Sequence, residues 1–229
     1  MPHLLLLLLI MLLSGCAGKT PLAVPVPAVP GAVVETISST VVLSLRTAEK
    51  NMSARGVMLY RRPDQMRLVL LSPFGTTVME ALLSGEQLTL TYPANGVAYR
   101  GRVQDLPAGS GQQGFAMLQW VLAAEPPGGA PVEGLVARTT TRGEQEQITL
   151  KDGLVVEKEL SGGDQVRYRN HTVVSGVVLP LELQMINRDG DRIRLQLEEP
   201  EVNQPIDDQS FTLLLQGMRL LPLSELKAR

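Results

Sequence analysis

Gln87-Leu88-Thr89-Leu90-Thr91-Tyr92 alternates polar and apolar residues without a break. In an extended chain successive side chains point to opposite faces, so Leu88, Leu90 and Tyr92 share one face and Gln87, Thr89 and Thr91 the other. The result is a half-buried antiparallel strand. Pro93-Ala94-Asn95-Gly96 closes it, and Val97 to Arg100 returns. Upstream, Ser84-Gly85-Glu86 separates it from Thr77 to Leu83. Before that, Ser72-Pro73-Phe74-Gly75 and Arg62-Pro63-Asp64-Gln65 flank Met66 to Leu71, and Val57 to Arg61 precedes them. Downstream the pattern resumes at Leu135 to Thr140, Gln145 to Leu150, Leu154 to Leu160, Gln165 to Asn170, Leu179 to Ile186, Arg192 to Leu197 and Phe211 to Leu215. Asn187-Arg188-Asp189-Gly190-Asp191 is a hairpin signal between two of these runs.

Two stretches carry a helical spacing instead. From Ala32 to about Lys50, apolar residues fall at Val33, Val34, Ile37, Val41 and Leu45; between Gly114 and Ala124, Phe115, Leu118 and Leu122 recur, widened by Met117, Trp120 and Val121. The pattern predicts an α+β protein, mainly antiparallel β. Its single sheet of about ten strands is too twisted to stay flat, and two helices cover its concave side. Whether that side is a packed core or an open cavity is not decided by alternation, since both present the same aliphatic stripe.

The amino terminus reads differently. An apolar run from Leu4 to Leu13 is about half the length a membrane span needs, and it ends in Leu13-Ser14-Gly15-Cys16. This resembles the lipobox of bacterial lipoproteins, which implies removal of residues 1–15 as a signal peptide and lipidation of Cys16. The short Met1-Pro2-His3 segment ahead of it has no Lys or Arg. Cys16 is the only cysteine, so an intramolecular disulfide is excluded. Ala17 follows it rather than Asp, which in the enterobacterial sorting pattern implies the outer membrane. Thr20 to Gly31 contains four prolines, Pro21, Pro25, Pro27 and Pro30, and predicts an extended, semi-rigid spacer. Residues 16–31 thus read as anchor and linker, and residues 32–229 as one domain.

Composition narrows the function classes. Net charge is −2 with both signs interspersed, and aromatics make up 3% of the chain, which argues against a nucleic-acid surface. Once His3 leaves with the signal, His171 is the only histidine, and in Arg169-Asn170-His171-Thr172 it reads as a solvated turn residue. No His/Cys cluster has metal-ligand spacing, and no Gly-x-Ser-x-Gly elbow is present. Gly109-Ser110-Gly111 lacks the strand-to-helix setting of a nucleophile or phosphate loop. Asp189, Asp191 and Asp207-Asp208 match no calcium loop and read as turn residues; Arg61-Arg62 reads as a solvated pair before a turn, with contact to lipid headgroups as the alternative. No catalytic residue, metal or cofactor is expected.

The passage Arg61-Arg62-Pro63-Asp64-Gln65-Met66-Arg67-Leu68, continuing through Leu71-Ser72-Pro73-Phe74-Gly75 to Leu83-Ser84-Gly85-Glu86-Gln87-Leu88-Thr89-Leu90, resembles the first half of the LolA/LolB superfamily of lipoprotein-localisation factors. Leu179-Pro180-Leu181-Glu182-Leu183 and Glu201-Val202-Asn203-Gln204-Pro205-Ile206-Asp207-Asp208-Gln209-Ser210-Phe211 resemble its second half, the latter its Asn-x-Pro-Ile-Asp-x-x-x-Phe closing signature. The resemblance implies a half-open, curled β-barrel of about eleven strands with a helical lid, whose hydrophobic hollow takes acyl chains. The candidate lining is Met66, Leu68, Leu70, Leu88, Leu90, Tyr92, Leu118, Trp120, Leu181, Leu183, Ile193 and Leu195.

Anchorage through Cys16 points to the LolB-like receptor, held in the outer membrane with its domain facing the periplasm and loaded by a periplasmic carrier protein. In such receptors an apolar side chain on a loop between early strands helps hand the lipoprotein to the bilayer, and Phe74 matches it; the other reading of Phe74 is a core plug beside a turn. The rival function is a structural or assembly outer-membrane lipoprotein with the same fold and a filled core, binding a protein partner at its sheet edge.

Overall fold

Thr36, Ile37, Thr40, Val41 and Val42 are branched at Cβ, and in a helix such side chains crowd the preceding turn, whereas on a pleated strand they pack freely. The computed structural model, which describes residues 27–29, 32–48, 51–107, 117, 120–140 and 143–226, accordingly has strand β1 at Thr36–Arg46 where a helix was expected. Ile37, Val41 and Leu45 lie four apart, a spacing that fits a helical stripe and one face of a strand equally well. Ser39, buried between the first two, hides the alternation. The partner strand, Arg192–Val202, bulges opposite it, with the register shifting between Ser38 and Thr40 and Glu199 at φ 51°.

Twelve further strands follow: β2 (Asn51–Arg61), β3 (Gln65–Leu71), β4 (Thr77–Ser84), β5 (Gln87–Tyr92), β6 (Val97–Arg102), β7 (Gly134–Thr139), β8 (Gln145–Lys151), β9 (Leu154–Leu160), β10 (Gln165–Val174), β11 (Val177–Ile186), β12 (Arg192–Val202) and β13 (Arg219–Pro222). They form one open, curled sheet in the order β13-β6-β5-β4-β3-β2-β1-β12-β11-β10-β9-β8-β7, so the sheet is larger than the expected eleven strands. Every pairing is antiparallel except β13 with β6. The expected strand at Phe211 to Leu215 is absent. Phe211 instead ends a 3-10 turn, Asp208–Phe211, in a segment that leads to β13.

The turns follow local chemistry. Asp152 and Gly153 have φ of 53° and 73°, the left-handed pair a two-residue hairpin needs. In the Asn187–Asp191 turn, Asn187 Oδ1 accepts from Asp189 N at 3.0 Å and Asp191 N at 2.8 Å.

Because each strand reverses the last, the connections sort into two ends. The β3–β4 loop (residues 72–76) and the β11–β12 turn lie at one, called here the Phe74 end. The β10–β11 turn at Gly176, the β2–β3 turn and the long β6–β7 connection lie at the other, the Gly176 end. One face of the sheet carries a single hydrophobic cluster drawing on both halves of the chain, from Val41, Leu68 and Leu90 to Ile148, Val166 and Leu195. The β6–β7 connection enters this side. Met117 and Trp120–Leu122 are helical, with Val121 and Leu122 inside the cluster. The described residues therefore contain one helical segment rather than two, and no lid over the whole concave side.

Candidate functional site

The inner wall is built by alternation. Met66, Leu68 and Leu70 on β3, Leu88 and Leu90 on β5, Leu183 on β11 and Leu195 on β12 are all buried in the cluster. Tyr92, Trp120, Leu181 and Ile193 are half-buried against it. All of the expected lining residues that the structure describes thus share one interior; Leu118 and Cys16 lie outside the described residues, as does Gly109-Ser110-Gly111.

Burial along this wall is uneven. Toward the Phe74 end, β1 pairs Leu45 with Met52 of β2 and Ile193 of β12, and Leu43 with Ala54 and Leu195. Leu43, Leu45, Ala54 and Ile193 are only half-buried and Met52 is exposed. Alternation flags these residues as inward, yet the helix predicted over Ala32–Lys50 concealed Leu43 and Leu45 as part of the wall. An aliphatic strip therefore opens at this end, next to the loop carrying Phe74.

That loop is preformed. Ser72 N donates to Thr76 O at 2.8 Å and Gly75 N to Ser72 O at 2.9 Å; the Ser72 and Thr76 hydroxyls lie 2.8 Å apart, and Gly75 sits at φ 80°. Ser72 Oγ also accepts from Phe74 N at 3.2 Å. With its backbone fixed, the loop holds Phe74 93% exposed, so the core-plug alternative is overturned.

At the opposite side of the interior lies a polar cluster that the alternation did not flag. Glu146 on β8 is fully buried, accepting from Trp120 Nε1 and from Arg138 Nε. Lys158 on β9, 1% exposed, has its ammonium 3.7 Å from Glu146 Oε1. It donates to Trp120 O and, at 2.9 Å, to Ala123 O. The ammonium also lies 4.8 Å from the Trp120 ring centre and 5.8 Å from that of Tyr168. Tyr168 Oη donates to Val121 O at 2.7 Å.

Carbonyls at the carboxyl end of a helix have no partner within it, and a cation and a hydroxyl supply partners here. Burial pulls the Lys158 ammonium down to about 8, against the opposing pull of Glu146, and burial pushes the Tyr168 hydroxyl well above its ordinary value. The cluster pins the helical segment to β8–β10. Glu146 stands in phase with Ile148 and Leu150 in Gln145-Glu146-Gln147-Ile148-Thr149-Leu150, a carboxylate on the apolar face that could have signalled it.

Other residues also differ from expectation. Arg61 is not merely solvated: it donates to Gln65 Oε1 at 2.7 Å, pairs with Asp208 at 2.6 Å and lies 4.6 Å from the Phe211 ring centre. Arg62 pairs with Glu125 and donates to Val34 O at 3.0 Å. His171 is a half-buried strand residue of β10, and burial lowers its pKa. Asp207 accepts from Gln209 N at 2.7 Å and caps a 3-10 turn, and among the described residues no group of His, Cys, Asp or Glu could hold a metal ion. Asn203, at φ 58°, accepts from Glu35 N at 2.8 Å and Thr36 N at 3.3 Å and donates to Val33 O at 3.0 Å, tying the start of β1 to the end of β12. Among the described residues no helix is long and apolar enough to cross a membrane.

The fold is shared with solved structures of low sequence identity. A DUF1329 family protein from Desulfovibrio piger ATCC 29098 superposes with a TM-score of 0.59 at 13% identity, covering 79% of this chain and 90% of that one. A putative outer membrane lipoprotein-sorting protein domain from Vibrio parahaemolyticus gives 0.57 at 12% identity, covering 77% of this chain and 88% of that one. No curated protein matches. The family model of the outer membrane lipoprotein LolB matches residues 36–199, from the first residue of β1 into β12, and the chain belongs to the LolB family.

Proposed function

We propose that this protein is an outer-membrane lipoprotein, anchored through Cys16 after loss of residues 1–15, that takes acyl chains of lipoproteins into its curled sheet and passes them to the bilayer. The LolB family is a non-enzymatic lipoprotein-binding family, and the periplasmic carrier that would load this member comes with that reading. The observation that carries it is the coincidence, at one end of the sheet, of a half-exposed aliphatic strip and an outward-held phenylalanine. Removing apolar surface from water contributes about 25 cal/mol per Å², so an aliphatic wall suffices to hold hydrocarbon and no reactive group is needed. Phe74 is the side chain that would enter the bilayer during transfer.

The test is direct. The chain from residue 16 on, with Cys16→Ser, should bind a fluorescent fatty-acyl probe and carry co-purifying lipids visible by mass spectrometry. No probe binding and no lipid would end this reading. One feature favours the assembly-protein reading: β7 is a sheet edge, with Leu135 on it 70% exposed. That reading expects a protein partner on β7 and an interior that takes up no probe.

A further inference from the structure

The last stretch of the chain touches both faces of the sheet. Arg61 on β2 and Arg67 on β3 stand on the face opposite Tyr60, Met66 and Leu68, and the segment after β12 crosses them there. Asp208 pairs with Arg61 at 2.6 Å, Phe211 lies over the Arg61 guanidinium, and Ser210 O accepts from Arg67 Nη1 at 2.7 Å. Gly217, at φ 80°, then turns the chain into β13, which pairs in parallel with the β6 edge. Immediately afterwards a 3-10 turn, Leu223–Glu225, enters the interior. Leu223 is 1% exposed and Leu226 5%, both within the cluster that holds Leu88 and Leu90.

The fit inside is specific. Gly101 of β6 pairs with Leu88 and shares its inward face; a Cβ on it would stand 2.8 Å from Leu223 Cβ, so the glycine leaves a notch that the leucine fills. The backbone attachment of this arm is short. It runs from Arg219 opposite Val97 to Pro222 opposite Arg100, with Arg219 N donating to Gly96 O at 2.8 Å. No strand lies beyond β13, and Leu220 is 53% exposed, so water can take over its backbone groups when it lifts. The ionic contacts of Asp208 and Ser210 lie upstream of Gly217 and stay in place. The matched family region ends at residue 199, so the arm lies outside it.

We propose, resting on the carrier reading above, that the notch at Gly101 is part of an acyl-chain site which the protein's own C-terminal arm fills when no cargo is present: an entering hydrocarbon chain replaces Leu223 and Leu226, and the arm swings out about Gly217. The exchange is chemically even, since methylenes of the chain take the place of leucine side chains against the same aliphatic wall and no covalent bond changes. With the arm seated, the interior stays closed to water on the β6 side. With it released, the same edge is the way in for the chain.

The test uses the chain from residue 16 on with Cys16→Ser, which leaves no other cysteine. Adding Ala98→Cys and Leu220→Cys places thiols on two register partners of β6 and β13, and a disulfide between them pins the arm. Pyrene-labelled hexadecanoate, titrated into both states, should bind at least tenfold more weakly to the oxidised protein, and dithiothreitol should restore binding. In the protein without the added pair, trypsin cleavage after Arg219, read by intact mass, should speed up at least threefold once the probe is bound, because that bond then leaves its strand. Equal binding in the two redox states, or a cleavage rate that the probe does not change, overturns the proposal and leaves the carrier reading standing. No binding in any state overturns both.

Discussion

Glu146→Gln is the most informative perturbation of the interior, because it changes charge with almost no change of shape. Glutamine still offers an oxygen to Trp120 Nε1, but the counter-charge 3.7 Å from Lys158 is gone. Lys158 then feels Arg138 with only the more weakly coupled Glu125 to oppose it, and its pKa falls further below the present value of about 8. The ammonium can escape by losing its proton, and that escape bounds the damage. One pH unit corresponds to about 1.4 kcal/mol, so the part of the loss that runs through the Lys158 charge cannot exceed about 1.4 kcal/mol at pH 7 and about 2.7 kcal/mol at pH 6, and it vanishes above pH 8, leaving the pH-independent loss of the Arg138 pair. Urea unfolding followed by the fluorescence of Trp120, the only tryptophan, measures this at pH 6, 7 and 9.

The same linkage acts on the unmodified protein. Its folded-state Lys158 is depressed from 10.5 to about 8, so between these values the unfolded chain binds the proton the folded one has released. Stability should therefore rise with pH across that window, by on the order of 3 kcal/mol from this group. A Glu146→Gln loss equal at pH 6 and pH 9 would refute the account of Lys158 as a charged latch.

Asn203→Ala removes three hydrogen bonds and places a Cβ residue without a polar side chain at φ 58°; a loss of about 2 kcal/mol is expected from the urea midpoint. Phe74→Glu should leave stability within about 0.5 kcal/mol of the parent, since the ring touches little, while lowering delivery of bound lipoprotein to liposomes. Leu90→Glu or Leu195→Glu buries an unpaired carboxylate in the cluster and should unfold the domain; Ile193→Glu, at the half-exposed strip, should keep the fold and lose probe uptake, as read by circular dichroism beside probe titration. Gly56→Ala would place its Cβ 2.0 Å from Val69 O and force β2 from β3, a loss of about 3 kcal/mol or more by thermal melting.

Alternation made most of the sheet legible, and it did so wherever a strand has one wet face, as in Arg192 to Leu197; in Gln87 to Tyr92 it located the strand, but the expected wet face is covered, with Thr89 and Thr91 buried along with Leu88 and Leu90. It failed where a polar residue or a bulge obscures the phase. In β1 the phase runs unbroken through Ile37, Ser39, Val41, Leu43 and Leu45, but the polar Ser39 masks it, and a helix fitted the four-residue spacing of Ile37, Val41 and Leu45 equally well. In β9 the register slips around Val156, so Lys158 falls out of phase with Val155 although both point inward; its burial could not be read from the sequence. The closing signature was quoted for its likeness, but the chemistry of Asn203 became visible only when residues 33–36 were placed beside it. Phe74 was legible as a turn residue, and its outward aim depends on a Ser72–Thr76 clasp that sequence spacing does not reveal.

The order of strands also bears on how the molecule assembles. From β1 through β6 each neighbour is the next strand in the chain, so this half can zip from local hairpins as it is made. The partner for the other side of β1 is β12, which begins at Arg192. Until that late segment arrives, β1 presents a row of unpaired amides and a face of valines and leucines. Nascent chains would accumulate at this step, and it is there that a holdase or an early truncation should have its strongest effect.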